Sequence, residues 1–197
     1  MFIQVIQGKT SREAELRAHA ESWATDGGAE GAVGWLGGTF GVTDTGDFLG
    51  VVRFTSQDDA RANSARPETG AFAEKMASLM DGPVQFHDCA DVTTFLDGGS
   101  DDAGFVQVIS GHVDDREPAK ALVAHTDELR AMRPEILGGT LAFADDGTFF
   151  QTVYFTDESR ARSGEQLEPP AEVRAVLETM MAGASFHDLR RPWFESA

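Results

Sequence analysis

The chain has little cysteine, lysine or tyrosine, and it has no long apolar run. A single cysteine, Cys89, stands in 197 residues. No internal disulfide and no cysteine-ligated zinc cluster can form, and the composition is that expected of a reducing, cytoplasmic setting. Lysine occurs only at Lys9, Lys75 and Lys120, and the 16 basic residues face 33 acidic ones, for a formal net charge of −17. Such a surface repels phosphate backbones, whose recognition rests on Lys and Arg. Neither nucleic acid nor an anionic membrane is therefore an expected partner, and the acidity reads as a solubility device. No stretch approaches the ~20 apolar residues of a membrane-spanning helix. The chain opens directly on the strand-like Phe2–Ile6 with no basic segment before it, so no signal peptide is expected.

What is present is written twice. Phe2-Ile3-Gln4-Val5-Ile6-Gln7-Gly8 returns as Phe105-Val106-Gln107-Val108-Ile109-Ser110-Gly111. Leu36-Gly37-Gly38-Thr39 returns as Leu137-Gly138-Gly139-Thr140, Arg53-Phe54-Thr55 as Tyr154-Phe155-Thr156, and Phe86-His87-Asp88 as Phe186-His187-Asp188. Four blocks in one order indicate a duplicated domain of roughly 100 residues, an ordinary domain size and too long for a solenoid unit. The expected boundaries are 1–95 for the first half, 96–103 for a Gly/Asp-rich linker and 104–197 for the second half.

Each half reads β-α-β-β-α-β. In the first, Phe2–Gln7 is β-branched-rich and closed by Gly8. Ser11 can cap a helix running to Thr25, with Leu16, His19, Ala20 and Trp23 on one stripe. A Gly-rich loop (residues 27–34) leads to strand Trp35–Thr43, turn Asp44–Asp47 and strand Phe48–Thr55. A helical region begins near Ser56, is interrupted near Pro67 and resumes over Ala71–Met80. Val84–Cys89 is the last strand. The second half repeats this plan. The fold class is α+β: two tandem ferredoxin-like halves. Both parities of the strands are apolar, so both sheet faces need cover, and the natural cover for the open face of one half is that of the other.

On this element order and duplication, with Arg61-Ala62-Asn63-Ser64-Ala65-Arg66-Pro67-Glu68 and Phe86-His87-Asp88, the chain resembles the tandem dimeric α/β barrel superfamily. Antibiotic-biosynthesis-type and haem-degrading monooxygenases, chlorite-dismutase-like proteins and stress-responsive barrel proteins belong there. It is also similar to an uncharacterised actinobacterial group. The resemblance implies an intrachain pseudo-dimer, either monomeric or further self-associating. Such folds host many chemistries, so activity must be argued from the site.

The candidate catalytic residues are His87, Arg53 and Trp35; the candidate ligand-binding residues are Gln4, Gln107, His187 and Tyr154. His87 and His187 hold equivalent strand positions and could act as bases or ligands, or merely anchor a strand end. Gln4 and Gln107 are polar in mid-strand and need partners if buried; they could line a cavity or bond between halves. Arg53/Tyr154 and Trp35/Ile136 are equivalent positions that differ, as when one half keeps a site and the other loses it. His19, His125 and Cys89 read as structural, and His112 as a loop residue. The Gly-Gly-Thr pairs lie inside strands, so they mark a bulge or a close backbone approach and not a phosphate loop. Haem-degrading relatives imply haem as a cofactor, but their early-strand Asn has no match here, Gln4 standing nearest. No cofactor and no metal is expected. Two functions stay open. One is a stress-response or small hydrophobic or aromatic ligand-binding protein. The other is a cofactor-free monooxygenase-like enzyme for an aromatic or polyketide-like substrate, which requires a cavity lined by Trp35 or His87.

Overall fold

The computed structural model describes residues 1–25, 28–124 and 126–196; Gly27, read above as a loop residue, and His125, read as structural, lie outside them. In chain order the elements are β1 (Phe2–Lys9), α1 (Glu13–Thr25), β2 (Trp35–Val42), β3 (Asp47–Phe54), α2 (Gln57–Ser64), α3 (Pro67–Ser78) and β4 (Gln85–Leu96). They continue with β5 (Phe105–His112), α4 (Glu117–Ala124), α5 (Thr126–Met132), β6 (Ile136–Ala144), β7 (Thr148–Phe155), α6 (Glu158–Glu165), α7 (Ala171–Met181), β8 (Ser185–Leu189) and β9 (Trp193–Glu195). The α+β class and the repeated β-α-β-β-α-β order are as the sequence predicts.

Local chemistry sets the element ends. Ser56 caps α2 by accepting from the Asp59 amide, and Asp157 caps α6 by accepting from the Arg160 amide. Pro67 does not interrupt a helix, as the sequence suggested; it opens α3. A proline fits the first helical turn because its missing N–H would have no partner there. The β2–β3 and β6–β7 turns need a left-handed residue, supplied by Gly46 (φ 82°) and Gly147 (φ 88°).

The chain forms two compact units, Met1–Ala90 with Trp193–Ala197, and Asp91–Pro192. The first carries the strand order β4-β1-β3-β2-β9, the second β8-β5-β7-β6-β4. β4 serves both: residues up to Ala90 pair with β1, and those from Asp91 onward belong to the second unit beside β6. Packing therefore divides the chain inside β4 and returns the last residues to the first unit, whereas the repeat was read to break at 96–103.

Each unit gains an aromatic residue from its arm. Trp193 packs with Ile6, Leu16, Phe48 and Met76 in the first core, and Phe95 with Phe105, Ile109 and Phe149 in the second. The Gly-Gly pairs make room for these arms. β2 shifts register between Trp35 and Gly37, and β6 between Ile136 and Gly138. A Cβ on Gly37 would lie 2.5 Å from the Glu195 carbonyl oxygen, and one on Gly138 would collide with that of Gly98.

Candidate functional site in the first unit

Cross-strand register sorts the first sheet into two faces. Gln4 stands opposite Val52 and Asp88, and Ile6 opposite Phe86. Partners directly opposite share a face and neighbours along a strand alternate, so Gln4, Ile6, Val52, Phe86 and Phe40 face one way. This is the side of α1 and α3, because Leu16, Ala20, Met76 and Leu79 share a core with Ile6. Val5, Val51, His87 and Thr39 face the other way, as do Ile3, Arg53 and Cys89.

Between the sheet and these helices lies a cavity of ≈ 290 Å³. Trp23, Trp35, Phe40, Phe54, Phe72 and Phe86 supply aromatic wall, and Gln4, Asn63, Ser64, Thr69 and Glu195 the polar groups. Phe86, 53% exposed, is a wall residue open to solvent. The volume is at the low end of small-molecule sites, ~300–1,000 Å³.

The helical wall is held by specific bonds. The His19 ring stacks on Phe72 at 4.1 Å between centroids, and its Nε2 lies 2.9 Å from the Phe72 carbonyl oxygen, tying α1 to α3. Arg66 Nη1 donates to the Gly28 carbonyl at 2.8 Å and to Asn63 Oδ1 at 3.1 Å, with its guanidinium over the Trp23 ring. Thr69 Oγ1 also donates to Asn63 Oδ1, at 3.4 Å. With both bonds on its oxygen, the buried Asn63 amide is fixed so that its NH₂ is the group left to donate to a guest. Gln4 Nε2 donates to Asp88 Oδ1 at 2.9 Å, which leaves Gln4 Oε1 to accept. The walls thus offer one amide donor and one amide acceptor in an aromatic setting.

The structure brings Trp35 and Gln4 to this cavity, and separates them from Arg53 and His87. Arg53 donates through Nη1 to Thr39 Oγ1 at 3.0 Å, on the far face. The trio Trp35, Arg53 and His87 therefore does not line one pocket: the bulge between Trp35 and Gly37 turns Trp35 to the face opposite that of Arg53 and His87. In the second unit Gln107 is on the helix-facing side and donates to Asp188 at 3.0 Å and Glu165 at 3.4 Å. Tyr154 and His187 stand on its other face, opposite Gly138 and Val108, and His187 Nε2 lies 3.3 Å from Ser110 Oγ. His19 and the buried Cys89 have the structural places expected of them.

Sequence reasoning missed Asn63, Phe40 and Phe86 as wall residues. Phe86 is next to His87 on one strand and so faces away from it, which was the available signal. Trp23 was visible only as a helix-stripe residue. A haem does not fit the residues present: the cavity is too small for a porphyrin, and His87 stands on the other side of the sheet. Among the described residues no group of three or more His, Cys, Asp or Glu side chains is placed to hold a metal ion. Among them, too, no helix is long and apolar enough to cross a membrane.

No protein-family model matches the chain, and no curated protein matches its sequence. Solved structures do resemble it. A protein from Fusobacterium nucleatum provisionally named a monooxygenase aligns with a TM-score of 0.72 at 12% identity, over 100% of this chain and 95% of its own. A similarly named protein from Lactobacillus acidophilus gives 0.69 at 16% identity, over 100% and 97%. An anthrone oxidase-like protein gives 0.68 at 12% identity, over 100% and 93%. Identities this low establish architecture alone: along its whole length the chain has the tandem ferredoxin-like fold of these monooxygenase-like proteins.

Proposed function

We propose that the first unit binds a small, flat aromatic molecule that carries both a carbonyl and a hydroxyl group. The observation that carries this reading is the aromatic cavity with its fixed amide pair: Asn63 to donate to a carbonyl, Gln4 to accept from a hydroxyl. Aromatic walls supply contact area and stacking, while the two amides set orientation. Because Trp23 and Trp35 both form wall, binding reports on itself. Titration with 6-hydroxy-1-tetralone should quench tryptophan fluorescence saturably, and Asn63→Leu should weaken binding about tenfold, or about 1.4 kcal/mol. Equal binding of the tetralone by both proteins would refute the role of the amide pair, whereas naphthalene, which carries neither group, should not lose affinity in Asn63→Leu.

The second reading is oxygenation of such a guest, supported by the anthrone oxidase-like and monooxygenase-named structural neighbours. Its test is oxygen uptake with anthrone, in which one O₂ is consumed, the substrate CH₂ becomes a carbonyl and water leaves. A rate no higher than that of buffer would leave the protein a binder.

A further inference from the structure

The two units differ where the first has its cavity. α2 and α6 are both eight residues long and begin on equivalent caps, so their positions correspond one to one. The fifth residue is arginine in both, Arg61 and Arg162. Their surroundings differ. The first residue is Gln57 in α2 and Glu158 in α6; the eighth is Ser64 in α2 and Glu165 in α6. Arg61 has no carboxylate at those places. It pairs with Asp58 at 3.7 Å and is 68% exposed. Arg162, 35% exposed, is held from both sides: Nη1 donates to Glu165 at 2.9 Å and Nη2 to Glu158 at 3.3 Å. Nη2 also bonds Asp188, the partner of Gln107 and the counterpart of Asp88. Its guanidinium carbon stands 5.2 Å from the Phe105 ring, on the helix-facing side of the sheet. Arg190 closes the cluster on Glu158 at 2.8 Å.

The counterpart of Asn63 has gone as well. Its place is Gly164, where a Cβ would collide with Glu135 Oε1 and Arg133 Nε. Arg133 and Glu135 are bonded to each other there, and Glu135 is buried. A neutral donor amide is thus replaced by an ion pair packed against bare backbone.

We infer that the chain has one aromatic-ligand site, and that in the second unit Arg162 stands where the ligand stands in the first. The inference rests on the first-unit cavity being a ligand site, and adds that its twin is filled by a side chain of the protein itself. Glu158 and Glu165 select this placement; Gln57 and Ser64 release it.

Xenon reads voids without any ligand chemistry, because it enters apolar cavities alone. Under xenon pressure, methyl NMR of the full chain should show shifts at Ile6, Ala20 and Met76, and none at Ile109 or Val153. In Arg162→Ala, Ile109 and Val153 should shift too. Glu158→Gln/Glu165→Ser, which keeps the arginine but gives α6 the flanking residues of α2, should do the same and covers the case that Arg162→Ala does not fold. Shifts at Ile109 and Val153 in the native chain, or none in either variant, would overturn the inference. So would calorimetry giving about two equivalents of 6-hydroxy-1-tetralone per native chain in place of about one. No tetralone binding with the xenon pattern as expected would refute the ligand reading and leave the filled second cavity standing.

Discussion

Single residues decide whether the arms can dock. At Gly37 (φ 116°) both the backbone angle and the Glu195 carbonyl exclude a side chain. Gly37→Ala should lower stability by about 1–3 kcal/mol, the range for forced overpacking, as a drop in the urea midpoint. Gly70 is the contrast. It lies inside α3 with nothing within 4 Å of a built Cβ, so Gly70→Ala should stabilise by about 0.5–1 kcal/mol through helix propensity. The amides of Gln4 and Asn63 differ in how they could be found from sequence. Gln4 broke an apolar alternation and drew attention. Asn63 sits on a polar helix, where an asparagine is ordinary until Arg66 and Thr69 are seen to fix it.

At the level of elements, the hairpins and long helices were legible because turn glycines and periodic stripes are local signals. Two features were not. β4 runs on to Leu96 through the polar stretch Asp91–Thr94, and β9 is three residues long. Neither alternates clearly, because their pairing is set by partners distant in sequence. Strand parity was legible and separated Phe86 from His87. Unbroken alternation would place Trp35 on the face of Thr39 and Arg53; the bulge at Gly37 resets the register and moves it to the other face. β9 matters beyond its length. Trp193 is 3% exposed and stacks with Phe40 at 6.2 Å and Phe48 at 6.4 Å, under the Arg17 guanidinium. Trp193→Ala should cost about 3–5 kcal/mol, the usual loss for a buried aromatic. Chemical denaturation would measure it, and a loss below about 1 kcal/mol would mean that β9 does not complete the core.

For the molecule as a whole, acid is the expected weakness. Hydrogen bonding to Arg190 holds the Glu158 carboxyl below its ordinary value of 4.5, against the opposing effect of burial, with Arg162 adding to the lowering. A depressed carboxylate stabilises the fold above its unfolded pKa, and that contribution is lost as pH falls through the folded value. Below about pH 4.5 the melting temperature should therefore fall less steeply in Glu158→Gln than in the native chain; identical slopes would show that the cluster adds nothing. The division of the chain has a consequence for its synthesis. Asp91–Pro192 is one continuous segment, whereas the first unit is made of the segments on either side of it, Met1–Ala90 and Trp193–Ala197. A ribosome working from the N-terminus releases everything the second unit needs before it releases Trp193. The half that is written first is the half that is finished last, and its aromatic cavity gains the Glu195 wall only after the whole second unit has been made.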